Sequence, residues 1–524
     1  MSYSITVQPD KNIENILDKW IGLIEKSQWK DGYINTFYTL TEPQKRWTDM
    51  DRHEMYCIGH MIESGVAYYQ ATGKRNLLDV CCHAADHLEK VFGHDGKKWV
   101  PGHEEIELAL ARLSVLTGEK RYLDLALHLL EQRGHGLGHH IDADWGNTPW
   151  DKVYHQDEVP VSQLRNAGGH AVRLMYLLCA MTDVTKLHPD ADYTASLHNL
   201  WQDIVERNMY VTGGIGQSRH NEGFTSDYDL PNEEAYCETC ASIGMAMWSI
   251  RMNEMTGNAH YADIMERTLY NALLAGINLK GDKFFYVNPL YSKGGHHRQP
   301  WYGCACCPSN MSRFLPSLPG YIYTTSATTA YINLYIGNNA TLTFADGRQC
   351  EIDMQTNYPW DGTVTLLLKG NNWKGKTLQL RLPEWCEKFT VCVNNKQKKV
   401  KTTNGYAVLN QKWKGNDIIT LNMDMPIRIT ADNPKVKNNK GMRTIQRGPL
   451  VYCAESVDNK QDIDSLAISS ETEISIATPC DSLDRLLPLE VTKGTDKYIL
   501  IPYYAWDNRT AGKMKVWFPY EGDR

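Results

Sequence analysis

The sequence TGKRNLLD at residues 72–79 recurs, with the same spacing of Thr, Gly and Asp, as TGEKRYLD at 117–124 and TGNAHYAD at 256–263. In each copy the glycine is predicted to end one helix in the left-handed conformation, and another helix begins a few residues later. Apolar residues at helical spacing, such as Ile106 and Leu110, precede the repeats. A helical hairpin of this kind buries its apolar face only by stacking against its copies, so the repeat predicts an (α/α)6-type toroid.

Two periodicities divide the chain. The first three-fifths predicts about ten helices, which is short of a full ring of six hairpins. From about Tyr331 the period changes to two, and Leu378 and Leu380 alternate with Gln379 and Arg381 as in a half-buried strand. The fold class is therefore multidomain α and β, with antiparallel β-sandwich modules after the helices. The predicted toroid, β-sandwich and second β module occupy residues 1–325, 326–428 and 429–524.

The composition indicates an ordinary globular protein. Of the 524 residues, 42% are hydrophobic and 22% are charged, and the net charge of −7 gives no reason to expect a nucleic-acid partner. No apolar run is long enough for a membrane span, so no membrane partner is expected. The 15 Trp and 29 Tyr, against only 9 Phe, suit stacking on sugar rings, although a Tyr-rich core and sandwich surface explain them equally well.

The first residues, MSYSITVQPDKN, contain no apolar signal segment and no small-residue cleavage site. They predict a cytoplasmic protein, or a periplasmic one if a leader has been removed. The 14 cysteines are scattered apart from one cluster, and they include vicinal pairs that suit thiolate chemistry better than a disulfide framework. A reducing compartment is the simpler expectation.

The strongest local signal for chemistry is CACCP, which contains Cys304, Cys306 and Cys307 near the end of the helical region. A second motif, ETC, places Glu238 and Cys240 two residues apart, so both can reach one ion if the chain is extended at a helix start. A carboxylate with several thiolates is a soft donor set that suits Zn²⁺. Two other interpretations stay open at this point: reduced cysteines without a metal, and a structural zinc clip without catalysis.

A long loop, GGIGQSRHNEGFTSDYDLP at residues 213–231, leads into the helix that follows Glu238. Loops of this kind on a rigid scaffold often bear catalytic groups. Glu222 is the carboxylate that we single out here, and Asp227 and Asp229 are alternatives from the same loop.

Three histidines occur at predicted N-terminal ends of helices: His53 in HEMYCIGH, His103 in GHEE and His170 in GGHAVR. In a toroid, one set of helix ends surrounds the central funnel. Each histidine alone is more often structural, but three at equivalent positions predict a shared site.

Together these motifs resemble the zinc-dependent β-L-arabinofuranosidases of glycoside hydrolase family 127 and their relatives in family 146. The matching stretches are HEMYCIGH, GHEEIELA, GGHAVR, GGIGQSRHNEGF, ETCAS, CACCPSN, QRGPLVYC and IPYYAWDNR. The resemblance covers nearly the whole chain, and the paired ETC and CACCP motifs are specific to it. It implies a retaining hydrolase that removes β-L-arabinofuranose from plant-derived oligosaccharides, with Zn²⁺ as cofactor and β modules that often mediate a homodimer.

The resemblance also implies a role for each matched catalytic residue. Glu238, Cys240, Cys306 and Cys307 are the expected zinc ligands, and Cys306 is also the expected nucleophile. It takes the place of the carboxylate that most retaining glycosidases use. Glu222 matches the general acid/base, which protonates the leaving oxygen and then activates water.

Contacts to sugar hydroxyls are implied for a further four residues: His53, His103, His170 and, from FFYVNPL, Tyr286. Cys304 stays an alternative to either zinc-binding thiolate of its motif. Family members usually have about one more helical hairpin before the segment where this chain begins. Part of the substrate rim is therefore expected to be absent or built differently.

Three other functions stay open from the sequence. The same site can serve a different pentose or a branched acidic deoxy sugar of pectin. A non-catalytic carbohydrate-binding protein with a structural zinc would cleave no glycoside. A toroid lyase or epimerase acting on sugars would use Tyr and His and would not need the cysteines.

Overall fold

The computed structural model describes residues 1–141, 149–478 and 486–522. A helical N-terminal region is followed by antiparallel β-sheets, which confirms the fold class predicted from the two periodicities. The described ranges contain twelve α-helices, and ten of these have at least ten residues. In those ranges no helix combines the length and the apolar character that a bilayer crossing requires.

The α-helices, in chain order, are α1 Ser2–Val7, α2 Lys11–Ser27, α3 Thr36–Leu40, α4 Glu54–Thr72, α5 Asn76–Phe92, α6 Ile106–Thr117, α7 Lys120–Gln132, α8 Ala171–Leu187, α9 Thr194–Arg207, α10 Thr239–Thr256, α11 Ala259–Thr268 and α12 Cys306–Ser317. The strands are β1 Tyr291–Ser292, β2 Tyr323–Thr325, β3 Thr329–Ile332, β4 Asn338–Thr343, β5 Gln349–Thr356, β6 Thr363–Lys369, β7 Thr377–Arg381, β8 Phe389–Val393, β9 Lys396–Lys398, β10 Lys401–Thr403, β11 Tyr406–Leu409, β12 Asp417–Met423, β13 Ile427–Thr430, β14 Met442–Arg447, β15 Leu450–Glu455, β16 Glu473–Ile476, β17 Leu489–Lys493, β18 Asp496–Pro502, β19 Met514–Lys515 and β20 Phe518–Pro519.

The repeated glycines end their helices as the sequence predicts. Gly73, Gly118 and Gly257 follow α4, α6 and α10 with φ angles of 71°, 79° and 64°. This left-handed conformation is costly for residues that have a Cβ atom, which explains the glycine in all three copies. The next helices, α5, α7 and α11, begin within three residues of these caps.

The chain forms two compact units, and the first comprises Met1–Asn208, Ser218–Asp227 and Leu315–Ser317. In it, α4 contacts α6, α6 contacts α8, and α5 contacts α7. Helix α8 buries 13 of its 17 residues, whereas α5 and α7 bury one face each. The apolar faces that a single hairpin would expose are therefore buried where the hairpins stack on one another.

The second unit comprises Met209–Gln217, Tyr228–Phe314 and Leu318–Arg524. Its described part contains three sheets. They have the orders β4-β5-β6-β12-β8-β9, β10-β11-β7-β3-β2 and β1-β19-β15-β18-β17-β16, and the third also includes β13, β14 and β20. Strand pairs are antiparallel except for β3 and β7, which run parallel. Along β12, Ile419, Leu421 and Met423 are buried, as their alternation predicts.

An apolar core in the second unit joins the segment around residue 237 to the C-terminal strands. Cys237 and Phe285 belong to the same buried cluster as Val451, Tyr503 and Trp506. The rings of Phe285 and Trp506 stack with their centroids 4.8 Å apart. The backbone next to Glu238 is thus anchored in a packed core, which limits its movement.

Arg381 departs from the alternation that places it on the polar side of β7. The structure buries this side chain completely, where it forms ion pairs with Asp263 and Glu266. Tyr358 and Trp385 also donate hydrogen bonds to the Glu266 carboxylate. Burial raises the pKa of Asp263 to about 7, against the opposing charge of Arg381. Asp263 is the aspartate of the third repeat, TGNAHYAD. Its ion pair with Arg381 therefore connects helix α11 to strand β7.

We expect Arg381→Met to destabilise the protein by about 3–5 kcal/mol, because it leaves two buried carboxylates without their cation. Arg75→Met is the matched control, since Arg75 pairs with the repeat aspartate Asp79 at the surface. Loss of this exposed ion pair should not change the free energy of unfolding measurably. Urea unfolding of both variants measures the difference, and equal midpoints would contradict this account of Arg381.

Candidate active site

A cluster of three thiols and a carboxylate lies at the N-terminal ends of two helices in the second unit. Glu238 is the N-cap residue of α10, in an extended conformation, and Cys240 lies in the first turn. Cys306 and Cys307 are the first two residues of α12. The unpaired N–H groups and the dipole at a helix N-terminus favour anions, so both helix starts favour thiolates and carboxylates.

The four side chains converge on one small volume. Glu238 Oε1 lies 3.6 Å from the Sγ atoms of both Cys306 and Cys307, and Cys240 Sγ lies 3.5 Å from Cys307 Sγ. One ligand atom from each residue falls within 4.8 Å of all the others, an arrangement that could hold a metal ion. Glu238, Cys240 and Cys307 are buried, whereas Cys306 is half-buried. Cys304 is exposed.

The thiols of this cluster differ in their protonation. Burial raises the pKa of Cys240, but hydrogen bonds with Cys306 and Cys307 outweigh it and bring the value to about 6. Burial and the hydrogen bond to Cys240 raise the pKa of Cys307 well above its ordinary value. These hydrogen bonds therefore favour the thiolate form of Cys240. Three sulfur donors with one carboxylate are a donor set suited to a borderline-soft cation.

Tyr286 and Asn288 support the cluster from one neighbouring segment. The Tyr286 hydroxyl lies 3.2 Å from Cys306 Sγ. Asn288 Nδ2 donates hydrogen bonds to the carbonyl of Cys237 and to Thr239 Oγ1, at 2.8 and 3.0 Å. It thereby binds the residues on both sides of Glu238. Sequence reasoning selected Tyr286 from the motif FFYVNPL and missed Asn288 two residues later.

A second polar group lies in the first unit, around Glu222. The loop that bears it closes through two backbone hydrogen bonds between Ser218 and Gly223, of 3.0 and 3.1 Å. The Glu222 carbonyl accepts a hydrogen bond from Ala171 N. A Cβ atom on Gly223 would lie 1.7 Å from the Gly169 carbonyl oxygen, so only glycine permits this contact. The HNEGF and GGHAVR motifs therefore form one local structure.

The Glu222 carboxylate contacts two side chains and remains accessible. The Tyr154 hydroxyl donates to its Oε2 at 2.9 Å, and His170 Nε2 lies 3.3 Å from the same oxygen. The Glu222 side chain is 35% exposed. Of the alternatives, Asp227 pairs with Arg207 at the surface, and Asp229 belongs to the other compact unit.

The three predicted histidines lie side by side in the first unit. The ring centroids of His53 and His103 are 5.8 Å apart, and those of His103 and His170 are 5.7 Å apart. Nδ1 of His53 and Nδ1 of His103 each face a backbone carbonyl, at 2.7 and 2.9 Å. A carbonyl only accepts, so these Nδ1 atoms bear protons. Burial lowers the pKa of both rings, which leaves each Nε2 as an acceptor.

Four residues of this polar group were missed from the sequence: Asp51, Tyr154, His155 and Arg173. Asp51 Oδ1 lies 3.3 Å from His155 Nε2 and accepts a hydrogen bond from Arg173, also at 3.3 Å. Burial opposes ionisation of Asp51, but these two partners hold the pKa of its carboxyl well below the ordinary value. The Arg173 guanidinium lies 4.8 Å from the ring centroid of Tyr154. Two signals were available: Arg173 ends the motif GGHAVR, and Tyr154 and His155 lie in the aromatic and ionisable run VYHQD at residues 153–157.

The chain matches known proteins over almost its whole length. The family model for the β-L-arabinofuranosidase GH127 catalytic domain matches residues 1–320, and the models for the GH127 middle and C-terminal domains match residues 329–425 and 427–519. A curated non-reducing end β-L-arabinofuranosidase from Bifidobacterium longum subsp. longum is 34% identical over 98% of this chain and 86% of its own. The protein is a glycoside hydrolase.

Two solved structures agree with these matches. The crystal structure of a GH127 β-L-arabinofuranosidase from Geobacillus stearothermophilus T6 gives a TM-score of 0.93 at 36% identity, over 99% of this chain and 88% of that one. Another GH127 β-arabinofuranosidase gives a TM-score of 0.90 at 36% identity, over 99% and 86% of the two chains. The chain belongs to glycoside hydrolase family 127.

His170 also caps a helix, which makes a stability prediction possible. Its Nδ1 accepts hydrogen bonds from the backbone N–H groups of Val172 and Arg173 at the start of α8. His170→Ala should therefore destabilise the protein by about 1 kcal/mol, and His170→Asn should recover most of the loss because Asn is a favoured N-cap residue. Unfolding midpoints of the two variants provide the measurement. Equal decreases of the unfolding midpoint in both variants would exclude the capping role of His170.

Proposed function

We propose that this protein is a retaining β-L-arabinofuranosidase that removes terminal β-L-arabinofuranose from plant-derived oligosaccharides. The observation that supports this most strongly is the convergence of Glu238, Cys240, Cys306 and Cys307 in a chain of family 127. The names of the curated relative and of the solved relatives indicate the sugar. The accessible Glu222 provides the carboxyl group that the reaction also needs.

We infer that Zn²⁺ is the cation held by this cluster, with Glu238, Cys240, Cys306 and Cys307 as its ligands. Three thiolates and a carboxylate suit the tetrahedral, sulfur-rich coordination of this ion. When bound, zinc would favour the thiolate form of Cys306 at neutral pH.

In the first step, Cys306 Sγ attacks the anomeric carbon of the sugar while the bond to the leaving oxygen breaks. Glu222 transfers its proton to that oxygen, and the aglycone departs as an alcohol. In the second step, Glu222 takes a proton from water, whose oxygen displaces Cys306 Sγ from the anomeric carbon. Two displacements at one carbon retain the anomeric configuration.

The neutral histidines are suited to sugar recognition. His53 and His103 present acceptor Nε2 atoms, which would accept hydrogen bonds from sugar hydroxyls. His170 and Tyr286 are the further proposed contacts; His170 shares its Nε2–H with Glu222, and Tyr286 lies beside Cys306. The domain boundaries at 325 and 428, the compartment and the homodimer stay predictions.

Hydrolysis of p-nitrophenyl β-L-arabinofuranoside under reducing conditions tests the proposed activity. We expect release of p-nitrophenol that stops after treatment with a zinc chelator and returns when Zn²⁺ is added. The α-anomer of the same glycoside is the matched control and should not be cleaved. No cleavage of the β-anomer by protein with one equivalent of bound zinc would contradict the proposed substrate.

Two substitutions test the assigned roles. Cys306→Ser should remove detectable turnover, and Glu222→Gln should lower kcat/KM by about 10²- to 10⁴-fold on an unactivated alkyl glycoside. Cys304→Ser is the control for the first variant, because this exposed thiol lies outside the cluster of four. Circular dichroism checks that each variant is folded. If Cys306→Ser keeps near-normal activity, the nucleophile is a different group.

A further inference from the structure

Arg173 is a buried cation of the first unit whose guanidinium group contacts two other segments of that unit. It donates hydrogen bonds to the carbonyl of Gly102, which directly precedes His103, and to Asp51 Oδ1, two residues before His53. We propose that Arg173 positions His53 and His103 for sugar binding by holding these two segments together. The inference rests on the sugar contacts proposed for the two histidines, and it makes Arg173 a positioning residue that acts through them.

The guanidinium group of Arg173 can hold both segments because its donors form a rigid, planar fork. Nη1 donates to the Gly102 carbonyl oxygen, and Nη1 and Nη2 lie 3.4 and 3.3 Å from Asp51 Oδ1. The Arg173 and Asp51 side chains are only 5% and 11% exposed, so solvent competes little for this ion pair. Breaking it would leave a buried charge without its partner, which keeps the link between the segments intact.

The two segments also touch directly, at Gly102. Its backbone N–H donates to the Met50 carbonyl at 3.0 Å. A Cβ atom at position 102 would lie 2.4 Å from the Met50 carbonyl oxygen and 2.9 Å from the Asp51 Cα atom, so this close approach requires glycine. Arg173 therefore binds the two segments where they already lie in contact, and its hydrogen bonds determine how one lies against the other.

The position of the His53 ring depends on a residue that Arg173 binds. Its Nδ1 donates to the Asp51 carbonyl at 2.7 Å, so Asp51 binds Arg173 with its side chain and the imidazole with its backbone. His53 also has a φ angle of 57°, which is uncommon for a residue with a Cβ atom and persists only where surrounding contacts hold it. The His103 ring, on the segment that Gly102 joins to Arg173, lies 5.8 Å away. The spacing of the two rings therefore depends on Arg173.

The positive charge of Arg173 also favours the neutral form of both rings. Burial lowers the pKa of His53 and of His103, and the nearby Arg173 guanidinium lowers both values further. A neutral ring with its proton on Nδ1 keeps Nε2 as an acceptor for a sugar hydroxyl. Geometry and charge therefore act together, and a substitution that retains the charge separates them.

Arg173→Lys tests the inference, because it retains the positive charge and replaces the fork with a single ammonium group. That group cannot bind Gly102 and Asp51 in the geometry of the guanidinium, so we expect kcat/KM on p-nitrophenyl β-L-arabinofuranoside to fall by about 10- to 100-fold. Arg112→Lys is the matched control. Arg112 of α6 pairs with Glu63 of α4 at 2.7 Å, so it joins the helices that follow the two histidines, but beyond the first turn of each. It should lower kcat/KM by less than about 3-fold.

Crystal structures of the two arginine variants measure the effect without any substrate. The distance between the Nε2 atoms of His53 and His103 should change by about 1 Å in Arg173→Lys and should stay the same in Arg112→Lys. An unchanged distance in folded Arg173→Lys, or an unchanged kcat/KM, would overturn the inference. If the wild-type protein cleaves no β-L-arabinofuranoside, the proposed function fails, and the crystallographic test of Arg173 still applies.

Asp51→Ala is the second variant, and it also serves if Arg173→Lys does not fold. It breaks the link to the His53 segment and leaves Gly102 as an acceptor for Arg173. We expect kcat/KM to fall by about 10-fold in the wild-type background and by less than about 3-fold in the His53→Ala background, where the ring that Asp51 holds is absent. Circular dichroism checks that each variant is folded. Equal losses in the two backgrounds would mean that Asp51 acts on the fold and not through His53, and the inference would then be wrong.

Discussion

Buried thiolates and carboxylates repel one another unless protons or a cation compensate their charge, and this constraint applies to the cluster of Glu238, Cys240, Cys306 and Cys307. Both pairs of side chains lie at helix N-termini, where backbone N–H groups stabilise negative charge. Burial raises the pKa of Cys307, whereas hydrogen bonds with Cys306 and Cys307 outweigh burial and lower the pKa of Cys240. A bound Zn²⁺ would compensate the negative charge and favour the thiolate form of all three cysteines.

The surrounding structure in the second unit keeps these four side chains close together. Asn288 binds the residues on both sides of Glu238, and Cys237 lies in the apolar core with Trp506. The C-terminal strands therefore pack against the segment that bears Glu238 and limit its movement.

In the first unit, backbone hydrogen bonds determine which nitrogen of each histidine bears a proton. Its histidines are neutral, and the backbone selects the tautomer of each: His53 and His103 donate from Nδ1, whereas His170 accepts there. A single unit therefore presents two acceptors suited to sugar hydroxyls and one donor to Glu222. Such choices depend on which backbone group each ring faces, so they cannot be read from the residue type.

Local patterns in the sequence were enough to predict much of the fold. The glycines at 73, 118 and 257 determine where helices end, and alternation along β12 determines which residues are buried. Arg381 could not be predicted, because its ion pairs join residues more than one hundred positions apart. The parallel pairing of β3 and β7 was also missed, since alternation carries no information about strand direction.

From the sequence, residues of the candidate site were predicted only where a recognised motif contains them. The residues alone left Glu222 beside Asp227 and Asp229, and the family resemblance singled it out. Arg173, Asn288 and Tyr154 lie in the stretches GGHAVR, FFYVNPL and VYHQD. Their partners and those of Asp51 are distant in the chain, so the sequence does not show what these side chains contact. Their contribution becomes visible only once the backbone has brought them together.

The central claim is that Cys306 forms a covalent bond to the sugar, and mass spectrometry of a trapped intermediate tests it most directly. In Glu222→Gln, an activated aryl β-L-arabinofuranoside should react at the first step and stall at the second, because the base that activates water is absent. The account predicts one added anhydro-pentose on the peptide that contains Cys306. An adduct on a different residue, or substrate consumption without any adduct on the protein, would contradict it.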